Sequence, residues 1–393
     1  MIDMKNLRIS CLLIILTLLT GCLNTGMPFS GSGANTEAQS QTAIPELALA
    51  TQTTTVQTSV PTPTQGAWAT DPHPLQIEVN RQWTYPGSEI TFEETLESRG
   101  TYDQFVVSYF SDGYKIYAYM AIPNGEKPET GWPSIILNHG YSDVTTYVTT
   151  EKYTEFMNVL SRGGYIVFKP DYRAHGKSEG PTPVGGDYGS PDYTIDTLNA
   201  LASVKAYKDA DPDRIGMVGH SMGGAITLRA MVVSKDIKAG VIWSGVVAPY
   251  STLIYRWYLP ATPAPSEATQ TTSTSIPLAT QPVEARGFHW SVTDWASEIF
   301  QKYGSPEQNP AFWDSISPAA YITDLSGPLQ LQAAKGDTEV PYIWSEELGE
   351  QLELAGMPYE LYIYEEDNHN ITDNFLIAIE RTLEFFDKYV KNR

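Results

Sequence analysis

The stretch RIGMVGHSMGG, Arg214 to Gly224, places one serine between glycines at the point where an apolar run ends. The run from Ile215 to Val218 indicates a short buried strand, and the spacing of apolar residues from Ala225 to Val233 indicates a helix. Ser221 therefore falls on a sharp turn that leads from a strand into a helix.

GHSMG matches the pattern Gly-x-Ser-x-Gly in this strand-turn-helix context. Small residues flank the serine because the neighbouring backbones approach too closely for side chains. The turn holds Ser221 Oγ above the sheet, and the first N–H groups of the helix point toward the same place. The N–H of Met222 is then able to stabilise an oxyanion. A glycine-rich turn whose serine only caps the helix is the alternative.

Composition and charge narrow the class of protein. The chain has 393 residues, of which 41% are hydrophobic, so it is long enough to bury one large core or two modest ones. Its 46 acidic residues outnumber 25 basic ones, and the net charge of −21 opposes binding to nucleic acid or to anionic lipid through a basic face. We expect a small-molecule substrate and no nucleic-acid partner.

The N-terminal stretch MIDMKNLRISCLLIILTLLTGC has the pattern of a secretory signal, with two basic residues before an apolar run too short to span a bilayer comfortably. LTGC, Leu19 to Cys22, resembles the lipobox of bacterial lipoproteins, in which the cysteine becomes the lipidated first residue. Cys11 would leave with the signal, so an unmodified Cys22 would be a single thiol outside the cytoplasm. We expect a lipoprotein signal peptide at 1–21 and a lipid anchor on Cys22 that holds the protein to the outer side of a bacterial cell membrane. An ordinary signal peptide with a cysteine by chance is the alternative.

Two further regions follow the signal. Residues 22–74 are rich in Ser, Thr, Gln and Pro, without helical or strand period, and are predicted to be a low-complexity tether. Residues 75–393 are predicted to form one domain. In it, the runs FVVSYF and KIYAYMAIP, joined by SDGY, indicate an antiparallel hairpin, and apolar runs then alternate with helical patterns. This order predicts an α/β fold with a mostly parallel central sheet and helices on both faces.

A serine nucleophile needs a base, and the base needs an acid that orients it. Among six histidines, only His369 follows a late strand in the position from which its loop would overhang the serine. The preceding strand ends in AAKGDTEVP, which offers Asp337 and gives the chain order serine, aspartate, histidine. A role for Asp337 as a turn residue is the alternative. Asp324 is the next candidate for the acid.

These three residues, with LNHGY after the third predicted strand and DYRAHGKSEG after the fourth, resemble the α/β-hydrolase superfamily over about Phe105 to Val390. SYFSDGYKIYAYMAIP, DADPDRIGMVGHSMGG, SPAAY and GDTEVP resemble the catalytic domain of the prolyl oligopeptidase family and its esterase relatives. The resemblance implies a second oxyanion N–H from Tyr141, the residue after His-Gly. It also implies that no metal or organic cofactor is required. The neighbouring residues that it assigns to loop structure rather than to chemistry are His139, Asp171, Arg173, His175 and Gly176.

The resemblance also implies a cap insertion after the sixth strand, at about 250–313, and residues 260–286 of it are predicted to be flexible because they are rich in Pro, Ser and Thr. Aromatic residues concentrate there and just before it. They either line an acyl or aryl pocket or form the core of the cap itself. The aromatic residues concerned are Trp243, Trp257, Trp290, Trp295, Phe300, Tyr303, Phe312 and Trp313.

The combined pattern predicts a serine hydrolase that cleaves carboxylic esters through an acyl-enzyme intermediate. No β-propeller repeat precedes the domain, which favours a stand-alone esterase. A serine peptidase or amidase of the prolyl oligopeptidase family, acting on short peptides, is the first alternative. A catalytically silent surface binding module is the second.

Overall fold

The structure, a computed structural model, describes residues 68–183, 185–255 and 292–392. The predicted signal peptide at 1–21, Cys22 with the tether up to residue 67, and the flexible segment 260–286 lie outside the described residues, as do Trp257 and Trp290. Residues 68–74, the end of the predicted tether, contact the domain, because Ala69 N–H donates to the carbonyl of Lys302 at 3.0 Å.

One sheet runs through the described part of the chain. Its strands are β1 (Thr91–Thr95), β2 (Tyr102–Ser111), β3 (Tyr114–Pro123), β4 (Trp132–Asn138), β5 (Ile166–Pro170), β6 (Ala210–His220), β7 (Gly240–Trp243), β8 (Leu329–Ala334) and β9 (Tyr359–Tyr364). They lie in the order β1-β2-β3-β5-β4-β6-β7-β8-β9. The pairs from β5 through β9 are parallel, and β1, β2 and β3 add antiparallel neighbours at one edge. The predicted α/β-hydrolase fold with its mostly parallel sheet is confirmed.

Helices follow most of these strands. They are α1 (Ile77–Gln82), α2 (Thr154–Arg162), α3 (Asp192–Ala206), α4 (Met222–Val233), α5 (Tyr250–Leu253), α6 (Val292–Tyr303), α7 (Pro310–Ile316), α8 (Ile343–Leu354) and α9 (Phe375–Phe386). In the described part of the chain, no helix has the length and apolar character needed to cross a bilayer.

The sheet separates two buried cores because side chains of a strand alternate between its faces. In β6, Met217 packs into the core that α3, α4 and α8 cover, whereas Val218 packs into the core of α2 and α9. In β4, Ile136 and Ile135 divide in the same way. Helices therefore cover both faces, as the alternating pattern predicts.

The hairpin from β2 to β3 shows why the SDGY signal works. Asp112 and Gly113 both have positive φ, 50° and 82°, and Ser111 pairs with Tyr114 across the turn. A two-residue turn of this kind favours Asp-Gly because both positions are left-handed. Outside the insertion, two elements lack such a signal and were not predicted. They are α1, which is short, and β1, whose residues TFEET are all exposed and carry no apolar face.

The aromatic residues of the insertion that the structure describes pack mainly against one another. Tyr303 and Phe312 stack with ring centroids 4.0 Å apart, and Trp313 donates its indole N–H to the carbonyl of Gly304 at 3.1 Å. Trp243 lies on the other core, where its indole N–H donates to Thr382 Oγ1 at 3.0 Å. For these four residues, a role in the core outweighs the alternative role in a substrate pocket.

Candidate active site

Ser221 lies between β6 and α4 with φ 56° and ψ −121°, a backbone conformation that costs energy for a residue with a side chain. The flanking glycines make the turn possible. A Cβ added to Gly219 would lie 2.0 Å from the carbonyl oxygen of Gly223, and one added to Gly223 would lie 2.0 Å from that of Asn138. The sequence therefore needs glycine on both sides of Ser221 because three backbone segments meet there.

Backbone hydrogen bonds hold the strained turn in place. Ser221 N–H donates to the carbonyl of Trp243 at 3.0 Å, and the carbonyl of Ser221 accepts from the N–H groups of Gly224 at 2.9 Å and Val246 at 3.2 Å. The chain runs from β4 to β5 on one side and from β6 to β7 on the other, so the turn sits where the strand order reverses. In open parallel sheets, ligands bind at the carboxyl ends of strands at such a point.

The predicted base and acid come together from the loops after β9 and β8. His369 Nδ1 lies 2.7 Å from Asp337 Oδ2. The other oxygen of Asp337 accepts from the backbone N–H groups of Glu339 at 2.8 Å and Val340 at 2.9 Å. The Asp337 side chain is buried, with 1% exposed. A carboxylate held in this way keeps the histidine proton on Nδ1 and leaves the lone pair of Nε2 for a proton from elsewhere.

Other carboxylates near the end of the chain have different partners. Asp324, the alternative acid, pairs with Arg81 at 2.8 Å. Asp367 is buried two residues before His369, but its oxygens accept from the residues that lead into α9, including the backbone N–H of Asn374 at 2.8 Å. The structure therefore brings only Asp337 of these three to the histidine.

A hydrogen-bonded chain that the sequence did not indicate joins three loops of the site. Gly140 N–H donates to Tyr153 Oη at 2.8 Å, and Tyr153 Oη lies 2.8 Å from His220 Nδ1. His220 Nε2 in turn lies 3.0 Å from the carbonyl oxygen of His369. Burial lowers the pKa of His220 to about 4, so its ring is neutral at pH 7 and donates through Nε2. No pattern marks Tyr153, because it acts through contacts between separate loops.

The two predicted oxyanion donors are the residue after Ser221 and the residue after Gly140, which lies beside Ser221. Met222 is the first residue of α4, where backbone N–H groups have no acceptor within the helix. Tyr141 follows Gly140, and a Cβ added to Gly140 would lie 3.1 Å from Ser221 Cβ. The loop after β4 therefore passes directly beside the serine.

The residues assigned to loop structure form a buried polar network behind that loop. His139 places Nδ1 2.7 Å from the carbonyl of Gly140 and Nε2 3.1 Å from that of Asp171. The Asp171 carboxylate accepts from Tyr147 Oη at 3.1 Å and Thr149 Oγ1 at 2.5 Å. Burial raises the pKa of Asp171 to about 6. Burial also lowers the pKa of Lys169, which donates to Tyr147, to about 8.

Metal chemistry has no evident ligand set in the part of the chain that the structure describes. There, no group of three or more His, Cys, Asp or Glu side chains is arranged to hold an ion.

Comparison with known proteins agrees with the fold. The family model described as Alpha/beta hydrolase family matches residues 135–382. An uncharacterized peptidase of Bacillus subtilis, YuxL, is 24% identical over 263 residues, which are 66% of this chain and 34% of that protein. The chain therefore spans about a third of the length of this curated relative.

Two solved structures share the fold. The acylaminoacyl peptidase of Pyrococcus horikoshii aligns with a TM-score of 0.53 at 19% identity, over 75% of this chain and 42% of the peptidase. Acetyl xylan esterase 1 from Thermoanaerobacterium aligns with a TM-score of 0.52 at 15% identity, over 76% of this chain and 88% of the esterase. At these identities, the likeness establishes a common architecture.

Proposed function

We propose, because this chain belongs to the alpha/beta hydrolase family, that it is a serine hydrolase that cleaves carboxylic esters through an acyl-enzyme intermediate. The observation that carries the proposal is the 2.7 Å hydrogen bond between Asp337 and His369. It lies at the carboxyl ends of the strands, as does the strained turn of Ser221. A buried acid, an oriented base and an elevated serine are the parts that nucleophilic acyl transfer needs.

In the proposed reaction, Ser221 Oγ attacks the acyl carbonyl while His369 Nε2 accepts its proton. Asp337 keeps the ring in the productive tautomer and stabilises the imidazolium that forms. The N–H groups of Tyr141 and Met222 bind the oxyanion. His369 then returns the proton to the leaving group, and water releases the acyl group by the reverse sequence of proton transfers.

An ester is the favoured substrate because its alkoxide departs with less assistance than an amine, which must be protonated as it leaves. A peptidase needs further groups that position a chain, and the sequence contains no motif that specifies them. The second candidate, a serine peptidase or amidase acting on short peptides, is favoured by the match to YuxL.

Labelling with a fluorophosphonate tests the serine and separates an enzyme from a silent binding module. We expect labelling of the wild-type protein and none of Ser221→Ala, because one nucleophile carries the covalent step. Equal labelling of both proteins would exclude Ser221 as the nucleophile. Circular dichroism of Ser221→Ala provides the control for folding.

A mixed panel of short-chain aryl esters and of aminoacyl and prolyl anilides tests the preference for esters. We expect the esters to give the larger kcat/KM. If the anilides gave a kcat/KM equal to or above that of the esters, the peptidase or amidase would become the favoured function.

The N-terminal residues extend the proposal to location. Lipid on Cys22, after removal of residues 1–21, would anchor the protein outside the cytoplasm of a bacterium, since several acyl chains on one residue give stable attachment. Cys22→Ser is expected to move the protein out of the membrane fraction or to leave the precursor uncut. An unmodified Cys22 at the start of the mature chain, seen by mass spectrometry, would contradict this.

A further inference from the structure

Glu339 lies at the candidate active site, although the proposed reaction assigns it no role. Its Oε2 is 3.7 Å from Nε2 of His369, the nitrogen that exchanges protons with serine and leaving group. The Glu339 side chain is 48% exposed, whereas that of Asp337 is 1% exposed. One carboxylate thus contacts the base from inside the protein, and the other lies beside the same ring at the surface.

The position of Glu339 is fixed by the acid itself. Its backbone N–H donates to Asp337 Oδ1 at 2.8 Å, so the two carboxylates occupy one tight turn after β8. Among the described residues, no lysine or arginine comes within 4.0 Å of the Glu339 carboxylate, which pairs only with His369. In the described ranges, the negative charge therefore lies beside His369 without a lysine or arginine in contact with it.

The distance from Nε2 places Glu339 near the leaving group of the substrate. When the acyl-enzyme forms, Nε2 donates its proton to the leaving atom at a hydrogen-bond distance of about 3 Å. Since Oε2 is 3.7 Å from Nε2, it lies at most about 7 Å from that atom, a span of a few covalent bonds. The carboxylate thus lies close enough to interact with a charged substituent on the leaving group.

We propose that Glu339 forms a leaving-group subsite that selects substrates whose alcohol carries a cationic group and disfavours those whose alcohol carries an anion. The inference rests on the proposed serine-hydrolase function and adds the charge of the preferred substrate to it. A carboxylate attracts a quaternary ammonium through charge alone, and removing the charge while keeping the shape removes the preference.

Matched esters test the subsite. The phenyl acetates with a meta-trimethylammonium or a meta-tert-butyl group have nearly the same shape but differ by one charge. We expect the ratio of their kcat/KM values, cationic over neutral, to fall about fivefold in Glu339→Gln, the scale of a half-exposed ion pair. A role for Glu339 in stabilising the His369 imidazolium acts on both esters alike and cancels in this ratio.

Glu353→Gln is the matched control, since it removes the same charge at the other end of the strands, away from their carboxyl ends. Glu353 lies at the end of α8 and accepts from Tyr359 Oη at 3.4 Å, at the start of β9. We expect its ratio to equal that of the wild type. In Glu339→Lys, the preference should pass to the meta-carboxylate ester. These variants change exposed side chains, and thermal melting checks that each is folded.

An unchanged ratio in Glu339→Gln, in a protein that is labelled by fluorophosphonate and hydrolyses the neutral ester, would overturn the subsite alone. An equal fall in Glu353→Gln would also overturn it, because the effect would then come from net charge. Absence of both labelling and ester turnover would instead overturn the proposed function, and the subsite with it.

Discussion

The loops on the two sides of Ser221 both bury histidine and aspartate, but they hold these side chains differently. After β4 and β5, His139 and His175 have both ring nitrogens within 3.2 Å of backbone carbonyl oxygens. After β8 and β9, His369 has one nitrogen on the Asp337 carboxylate and the other beside half-exposed Glu339. A general base must leave one lone pair within reach of substrate. Only the second arrangement does so.

Burial and a shifted pKa do not separate the two regions in the expected way. Burial raises the pKa of Asp171 to about 6 and lowers that of Lys169 to about 8. Both side chains are fully buried, so substrate cannot reach them. Such shifts often mark functional sites. Here they mark a network that holds the loop after β4, since Lys169 also donates to the carbonyl of Glu151 at 3.0 Å. Access to substrate, together with the partner of each nitrogen, is the better criterion.

Substitution of the acid gives the largest expected contrast between the two regions. Asp337→Asn should fold and lose about 10⁴-fold in kcat, because the amide favours the wrong histidine tautomer. The measurement is steady-state hydrolysis of a short-chain aryl ester, with melting curves to confirm the fold. Asp324→Asn, which changes the alternative acid that pairs with Arg81, is the control and should stay within about twofold. A crippled Asp324→Asn beside an active Asp337→Asn would reassign the acid.

The stability of the buried network around Asp171, behind the loop after β4, should depend on pH. The pKa of Asp171 is raised from its ordinary 3.8 to about 6 in the folded protein, so the folded state binds more protons than the unfolded state between these values. The protonated Asp171 carboxyl therefore stabilises the folded state fully below pH 3.8, and this stabilisation is lost as the pH rises through 6. Relative to the wild type, Asp171→Asn should gain on the order of 2 kcal/mol between pH 4 and pH 7.

Urea unfolding of both proteins at several pH values measures that difference. In the wild type, the Lys169 ammonium stays mostly charged up to pH 7, since burial lowers the pKa of Lys169 only to about 8 while the Asp171 charge raises it. A difference between Asp171→Asn and wild type that does not change with pH would show that the Asp171 carboxyl titrates as it does in the unfolded chain.

Substitution of one tyrosine in each region should give the smallest difference in kcat. Tyr153→Phe removes the partner of Gly140 N–H and of His220 Nδ1, so the loop that carries Tyr141 loses its link to the base. We expect kcat to fall about tenfold, the scale of one hydrogen bond, with little change in KM, because the oxyanion contact matters in the transition state. Steady-state kinetics on an aryl ester separates the two parameters.

Tyr147→Phe is the matched control in the other region. It breaks the bonds to Asp171 and Lys169, and it should lower the melting temperature while leaving kcat within about twofold. A similar fall in kcat for both tyrosines would indicate that the two regions position the site equally.

Sequence by itself determined the elements whose signals are local. The glycine spacing around Ser221 specifies a turn in which backbone segments meet, and SDGY specifies the hairpin turn. Apolar periodicity specifies the buried strands and their order along the chain. Even the pairing of Asp337 with His369 follows from that order, because successive parallel strands deliver their loops to one edge. The exposed strand β1 carries no such pattern.

Tertiary structure alone decided which side chains meet across loops. Tyr153 reaches Gly140 and His220 from 13 and 67 residues away, and Glu339 faces His369 across two adjacent strands. It also showed that the insertion's Tyr303 and Phe312 pack on each other. The physical reason is range: helix, strand and turn preferences are set within a few residues, whereas contacts between loops depend on the register and packing of the whole sheet.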